Sequence, residues 1–122
     1  PDALAEINHV LRDYRTDQVA AIDTRLLDLL DRVKAQLGTS KPFQVISGYR
    51  SPATNHMLSE RSSGVAKHSL HMEGKAIDIR IPGVALADLR KTGLALQGGG
   101  VGYYPASDFV HLDVGRVRTW GG

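Results

Sequence analysis

Between Ala76 and Ile81 the chain alternates strictly, with Ile77, Ile79 and Ile81 on one side and Ala76, Asp78 and Arg80 on the other, before Pro82-Gly83 ends the run. Period two with branched apolar residues on one side only describes a β-strand with one face toward a core and one polar face. The polar face here carries an ionisable residue, Asp78. Phe109 to Val114 repeats the pattern, with Phe109, His111 and Asp113 on one face and Val110, Leu112 and Val114 on the other. A shorter run alternates Phe43, Val45 and Ser47 with Gln44 and Ile46 and stops at Gly48, and Gly98-Gly99-Gly100 leads into Val101 to Tyr104. Pro105-Ala106-Ser107 reads as a turn. Gly115-Arg116 reads as the two-residue turn of a hairpin that returns through Val117 to Trp120.

Helical period occupies the rest. Leu4, Ile7, Val10 and Leu11 predict a helix over 3–15. Asp23 or Thr24 caps a clearer one, in which Leu26, Leu27, Leu29, Leu30, Val33 and Leu37 make an apolar stripe and Gly38 the stop. Ser51-Pro52 opens a short helix to about Glu60, and Val84 to Gln97 reads as a helix weakened by Gly93. Residues 61–75 show no period and read as a loop. Helices before the strands and hairpins after them predict an α+β fold, a central and mainly antiparallel sheet with helices packed on it.

At 122 residues, with 42% hydrophobic and 23% charged, the chain is expected to form one domain, a helical segment over 1–22 preceding a core over 23–122. The absence of cysteine excludes disulfides, thiolate metal sites and a cysteine nucleophile. Fifteen basic against thirteen acidic residues is too even a balance for a nucleic-acid surface. No apolar run approaches the roughly 18 residues of a membrane span, and no targeting signal is visible after Pro1.

Three residues carry the candidate chemistry: His71 at the end of the polar loop, Asp78 on the polar strand face, and His111 on a neighbouring strand. Two imidazoles and a carboxylate are a ligand set for catalytic zinc that leaves a fourth position for water. On spacing alone a second reading stands beside it, with Asp78 and His111 as surface strand residues and His71 as a solvated loop residue. Asp113 either orients an imidazole or pairs with Arg116 or Arg118. His9 and His56 read as surface residues and Trp120 as a packing anchor.

Three separated segments add to this. Ser47-Gly48-Tyr49-Arg50-Ser51-Pro52, Ser69-Leu70-His71-Met72-Glu73-Gly74-Lys75-Ala76-Ile77-Asp78 and Ser107-Asp108-Phe109-Val110-His111-Leu112-Asp113-Val114-Gly115 resemble, in that order along the chain, the motifs of the D-Ala-D-Ala-type zinc peptidases. That family lies within the superfamily of lysostaphin, D-Ala-D-Ala peptidase and hedgehog folds, and the segments look most like its MepK-type murein endopeptidases. The likeness covers roughly residues 40–120. It implies one Zn2+ per chain on His71, Asp78 and His111, Asp108 as general base and Arg50 facing the reacting carbonyl or a substrate carboxylate. In the dipeptidase relatives the base is glutamate, so Asp108 is one methylene shorter. Asp113, His68, Ser69 and Tyr103 are expected to support the ligands or line the substrate cleft, with Tyr104 beside Tyr103, although aromatic residues on a short strand also suit the core.

The function so implied is a peptidoglycan endopeptidase acting on stem peptides, with the link between two meso-diaminopimelate residues as first choice. Two alternatives stay open: a D,D-carboxypeptidase or dipeptidase trimming terminal D-alanine, and a non-catalytic zinc-containing module that binds peptidoglycan. The same resemblance implies an exported, periplasmic protein and a monomer.

Overall fold

The computed structural model describes residues 2–61 and 69–121. Along the chain lie α1 (Asp2–Val10), α2 (Thr24–Leu37), β1 (Gln44–Ser47), α3 (Pro52–Arg61), a 3-10 helix (Leu70–Glu73), β2 (Ala76–Arg80), α4 (Leu86–Leu96), β3 (Gly100–Tyr104), β4 (Phe109–Asp113) and β5 (Arg118–Gly121). The strands form one sheet in the order β1-β2-β4-β3-β5, antiparallel except where β5 runs parallel to β3. The expected α+β fold with a mainly antiparallel sheet is what forms.

The α2 helix is built as its sequence predicts. The Asp23 carboxylate accepts the Arg25 N–H at 2.9 Å, satisfying one free donor of the first turn. Gly38 ends the helix at φ 67°, a left-handed conformation that costs glycine little. Its buried residues Leu26, Leu29, Leu30 and Val33 follow the i, i+3, i+4, i+7 rule and meet Leu89 of α4 and the Ile77, Ile79, Val101, Val110 and Leu112 face of the sheet. Burying each such side chain contributes ~1.5–3 kcal/mol. Leu11 and Ile22 join this core, so the first 22 residues and the remainder share it.

Four local expectations are corrected. The first helix stops at Val10 rather than near Arg15, because the Asp13 carboxylate captures the Arg15 and Thr16 N–H groups and turns the chain. Leu4, Ile7 and Val10 are consequently exposed, and of that stripe only Leu11 is buried. Leu70–Glu73, within the expected loop, form the 3-10 helix, with Ser69 as its N-cap and Gly74 as its C-cap. On β1, Val45 faces Ile79 but Ser47 faces Asp78, because a bulge at Ile46 inserts one extra residue. Ser47 thereby leaves the side of Val45 and joins the polar face.

The fourth correction concerns the last strand. The expected hairpin between β4 and β5 does not form. Both edges of β4 are occupied, by β2 and by β3, so the returning chain adds to the free edge of β3 instead. The chain does reverse direction after Asp113, but it steps over one strand in doing so.

Candidate metal centre

The register sets the polar face. Asp78 on β2 is paired with His111 on β4, which is paired with Gly102 on β3. His71 enters from the 3-10 helix that precedes β2. Ser69 Oγ accepts the His71 N–H at 3.1 Å, and Gly74, at φ 68°, turns the chain from that helix into the strand. The Arg50 N–H donates to the His71 carbonyl at 3.1 Å, tying the Gly48–Ser51 segment to the same place.

Both imidazoles have their tautomers set by outer partners. His71 Nδ1 lies 2.7 Å from the Gly48 carbonyl oxygen, which can only accept, so Nδ1 carries the proton and Nε2 turns a lone pair inward. His111 Nε2 lies 2.7 Å from Asp113 Oδ2 and donates to it, which leaves Nδ1 facing the centre. His71 Nε2 is 3.2 Å from His111 Nδ1 and 3.2 Å from Asp78 Oδ1, and His111 Nδ1 is 2.9 Å from that same oxygen.

Three acceptors at these distances repel one another unless a proton or a cation lies among them. The candidate ligand atoms of these three buried residues all lie within 4.8 Å of one another. A tetrahedral ion with ligand bonds of 2.0–2.2 Å has ligand–ligand edges of roughly 3.3–3.6 Å, so the observed triangle is close to the size zinc requires. The donor set of two imidazoles and a carboxylate also suits zinc by softness. His71, Asp78 and His111 therefore fit a divalent ion on geometry and on chemistry.

The electrostatics of Asp78 and His71 agree. Burial alone would raise the Asp78 carboxyl, but His71 and His111 outweigh it and hold its pKa below the ordinary range. Burial pushes His71 down, against the pull of Asp78, and so favours the neutral imidazole that a metal needs. For His111 burial also pushes down, but hydrogen bonds to Asp113 and Asp78 more than reverse it and its pKa is raised. Asp113, fully buried, is pushed up by burial and brought below its usual value by His111, Arg118 and the Gly100 N–H.

Arg50 reaches this centre from the Gly48–Ser51 segment. Its guanidinium donates to Ser47 Oγ at 3.2 Å, Asn55 Oδ1 at 3.3 Å and Asp78 Oδ2 at 3.3 Å. Asp78 is thus held on both oxygens, one toward the imidazoles and one on Arg50. Burial lowers the Arg50 pKa from its high reference value, which leaves it a cation.

The remaining expected site residues fall in different places. Asp113 both orients His111 and pairs with Arg118, so two readings that stood as alternatives hold together, and Arg116 contributes only a carbonyl to Arg118. Ser69 acts as a helix cap. Asp108 sits in the turn before β4 at φ 58°, with its side chain 66% exposed and its Oδ2 3.7 Å from Arg80 Nη1. Arg80 lies two residues beyond Asp78 on β2, which brings the Asp108 carboxylate to the rim of the polar face.

Tyr103 is corrected as a cleft residue. Paired with Val110, it packs against the apolar core and lies beneath the Arg90 guanidinium. Tyr104, one residue on, takes the polar face instead, stacked on Phe109 and accepting the Trp120 indole N–H at 2.6 Å. Trp120 lies against His111, with ring centres 5.1 Å apart, and is part of the site's wall. His68 lies outside the described residues. His56 is exposed beside Glu60, as expected.

Sequence reading missed Ser47, Asn55 and Trp120 as members of the site. The alternation that put His111 and Asp113 on one face selects Tyr104 over Tyr103 once the β3–β4 register is known. Nothing local could have found Ser47, whose side is decided by the bulge, or the place of Trp120 against His111.

Comparison with known proteins joins this geometry to a family. A family profile described as Peptidoglycan L,D-endopeptidase MepK matches residues 1–120. The chain is 52% identical over 119 residues to the peptidoglycan L,D-endopeptidase MepK of Escherichia coli K12, an alignment covering 98% of the chain and 65% of that relative. It is 46% identical over 123 residues to the probable peptidoglycan L,D-endopeptidase MepK of Haemophilus influenzae, covering 100% of the chain and 66% of the relative. The chain thus spans just under two thirds of the length of these curated relatives. With a profile match over nearly all of its residues, and a buried His-Asp-His cluster assembled from two of the three motifs, the chain belongs to the peptidoglycan L,D-endopeptidase MepK family.

Proposed function

We propose that this chain is a zinc metallopeptidase that hydrolyses peptide cross-links of bacterial peptidoglycan, with the bond between two meso-diaminopimelate residues as its first target. The observation that carries the reading is the convergence of His71 Nε2, Asp78 Oδ1 and His111 Nδ1, each acceptor turned inward by a partner outside the triangle. The names of the relatives, peptidoglycan L,D-endopeptidases, support the substrate class.

A zinc ion on these residues would supply Lewis-acid polarisation of the scissile carbonyl and acidify a water toward a pKa of about 7. Asp108 is the group assigned to take the proton from that water and return it to the leaving amine. Its exposed position on the turn beside Arg80 suits a base that must reach both sides of the scissile bond. Arg50 holds Asp78 and, among the described residues, keeps two of its five N–H groups for the oxygen on which charge develops. His71 and His111 turn Nε2 and Nδ1 toward the centre because their other nitrogens donate to Gly48 and Asp113.

Residues 1–122 act in this reading as one catalytic domain and as a monomer, in the periplasm where the substrate lies. No helix among the described residues is long and apolar enough to cross a membrane. The test is incubation with defined muropeptides carrying either a diaminopimelate–diaminopimelate cross-link or a terminal D-Ala-D-Ala, with and without a chelator. Chelator-sensitive release of monomers from the cross-linked substrate is the expected result. Release of D-alanine alone would make the chain a trimming peptidase, and products unchanged by complete chelation would end the metal reading.

A further inference from the structure

The last strand, β5, has no part in the reaction as proposed above, yet two of its residues lean on the centre. Arg118 forms a two-pronged pair with Asp113, Nη1 to Oδ1 at 3.1 Å and Nη2 to Oδ2 at 2.9 Å, and Nη1 is steadied by the Arg116 carbonyl at 2.8 Å. The guanidinium also lies over the Trp120 ring, 4.9 Å from its centre, and Trp120 lies against His111.

We infer that β5 is a positioning strand, on which Arg118 and Trp120 set the His111 imidazole for metal binding without touching metal or substrate. This inference rests on the metal reading above and deepens it. The Asp113 carboxylate accepts five N–H donors: His111 Nε2, the Gly100 and Gly115 backbone groups, and both prongs of Arg118. Of these only Arg118 brings a full positive charge to balance a carboxylate with no solvent exposure. Without it the anion that fixes the His111 tautomer loses its countercharge and one constraint on each oxygen.

The strand between β5 and the centre is cut to let these side chains across. Gly100 pairs with Arg118 and Gly102 with Trp120. A Cβ on Gly100 would come within 2.5 Å of Arg118 Nη1 and 2.6 Å of Asp113 Oδ2, and one on Gly102 within 2.7 Å of the Trp120 ring. Two missing side chains on β3 are thus the passage through which β5 reaches β4. Trp120 is held in its tilt by its N–H bond to Tyr104 Oη.

The experiment is zinc affinity, measured by competition with a chromophoric chelator on the full chain, beside the visible spectrum of the Co2+-loaded protein and melting of the metal-free form. Measurements are made at a temperature where every variant is folded. Arg118→Met is expected to weaken zinc binding 10–100-fold and to change the Co2+ bands, the usual scale for losing a partner behind a metal ligand. Arg118→Lys keeps the charge but not the fork, so its loss is expected to be smaller. Trp120→Phe keeps a ring against His111 and retains affinity, whereas Trp120→Ala weakens it. Folded Arg118→Met and Trp120→Ala proteins with wild-type affinity and an unchanged Co2+ spectrum would overturn the inference. Should Arg118→Met not fold, Arg118→Lys with wild-type affinity and spectrum would do so. If the wild-type chain itself takes up no zinc, it is the metal reading that fails, a different result from wild-type uptake that the variants share.

Discussion

On the helix side of the sheet Ile77, Ile79, Val110 and Leu112 are at most 1% exposed, and on the opposite side Asp78, His111 and Asp113 are 4%, 9% and 0% exposed. The two faces are about equally dry and are held together by different physics. Ile79 and Val110 need only shape and volume, and their burial stabilises the fold directly. Asp78 and Asp113 lose hydration on burial and recover it only through partners that must be placed to within a few tenths of an ångström. The polar face is therefore the one whose geometry is specified in detail, which is what a metal site requires.

That contrast can be broken most severely at the ligands. His71→Ala or His111→Ala is expected to abolish both zinc uptake and cross-link hydrolysis, read by metal analysis of dialysed protein and by product release. Stoichiometric zinc in either variant would remove that residue from the ligand set. Asp108→Ala comes next. Turnover should fall by roughly 10²–10⁴ while zinc content stays near one per chain, as for loss of a general acid–base group. Zinc lost together with activity would instead make Asp108 a ligand.

The helix face should answer with the opposite signature. Ile79→Ala leaves a cavity under α2 and α4 and is expected to cost ~2–5 kcal/mol in denaturant unfolding, with the zinc affinity of the folded fraction unchanged. A matching loss of affinity would mean that the faces are coupled through β2.

The smallest effect is expected at Asp13, buried at 3% exposure, which joins the first 22 residues to the Arg50 segment through the Ser51 N–H at 2.8 Å. Burial would raise this carboxyl, but hydrogen bonds from Ser51, Thr54 and Arg15 bring it from 3.8 down to about 2. A depressed folded pKa means stability that is present above the ordinary value and is lost as pH falls from about 4 toward about 2. Asp13→Asn should cost ~1–2 kcal/mol at neutral pH and flatten the stability profile in that acid window. An unchanged profile would show that Asp13 does not contribute to the acid sensitivity of the chain.

Much of this was legible residue by residue. The α2 stripe and its Asp23 and Gly38 caps are local features, and the alternation of Ala76–Ile81 and Phe109–Val114 put Asp78, His111 and Asp113 on polar faces before any pairing was known. The misreadings have a common cause. A bulge moved Ser47 to the other face, the Asp13 side chain ended α1 early, and occupied edges sent β5 past β4. Each depends on a partner distant in sequence or on a competition between hydrogen bonds, and neither is expressed in periodicity.

Sequence by itself determined which residues of β2 and β4 share a face and which of those faces carries the charge, because side-chain period follows from backbone geometry. It also supplied the three acceptors of the candidate centre. Only the tertiary structure decided that they meet, which nitrogen of each imidazole faces inward, and that Arg118 and Trp120 stand behind them across two glycines. Those outcomes are set by register and strand order, relations between segments far apart in the chain, and they are fixed when the sheet closes.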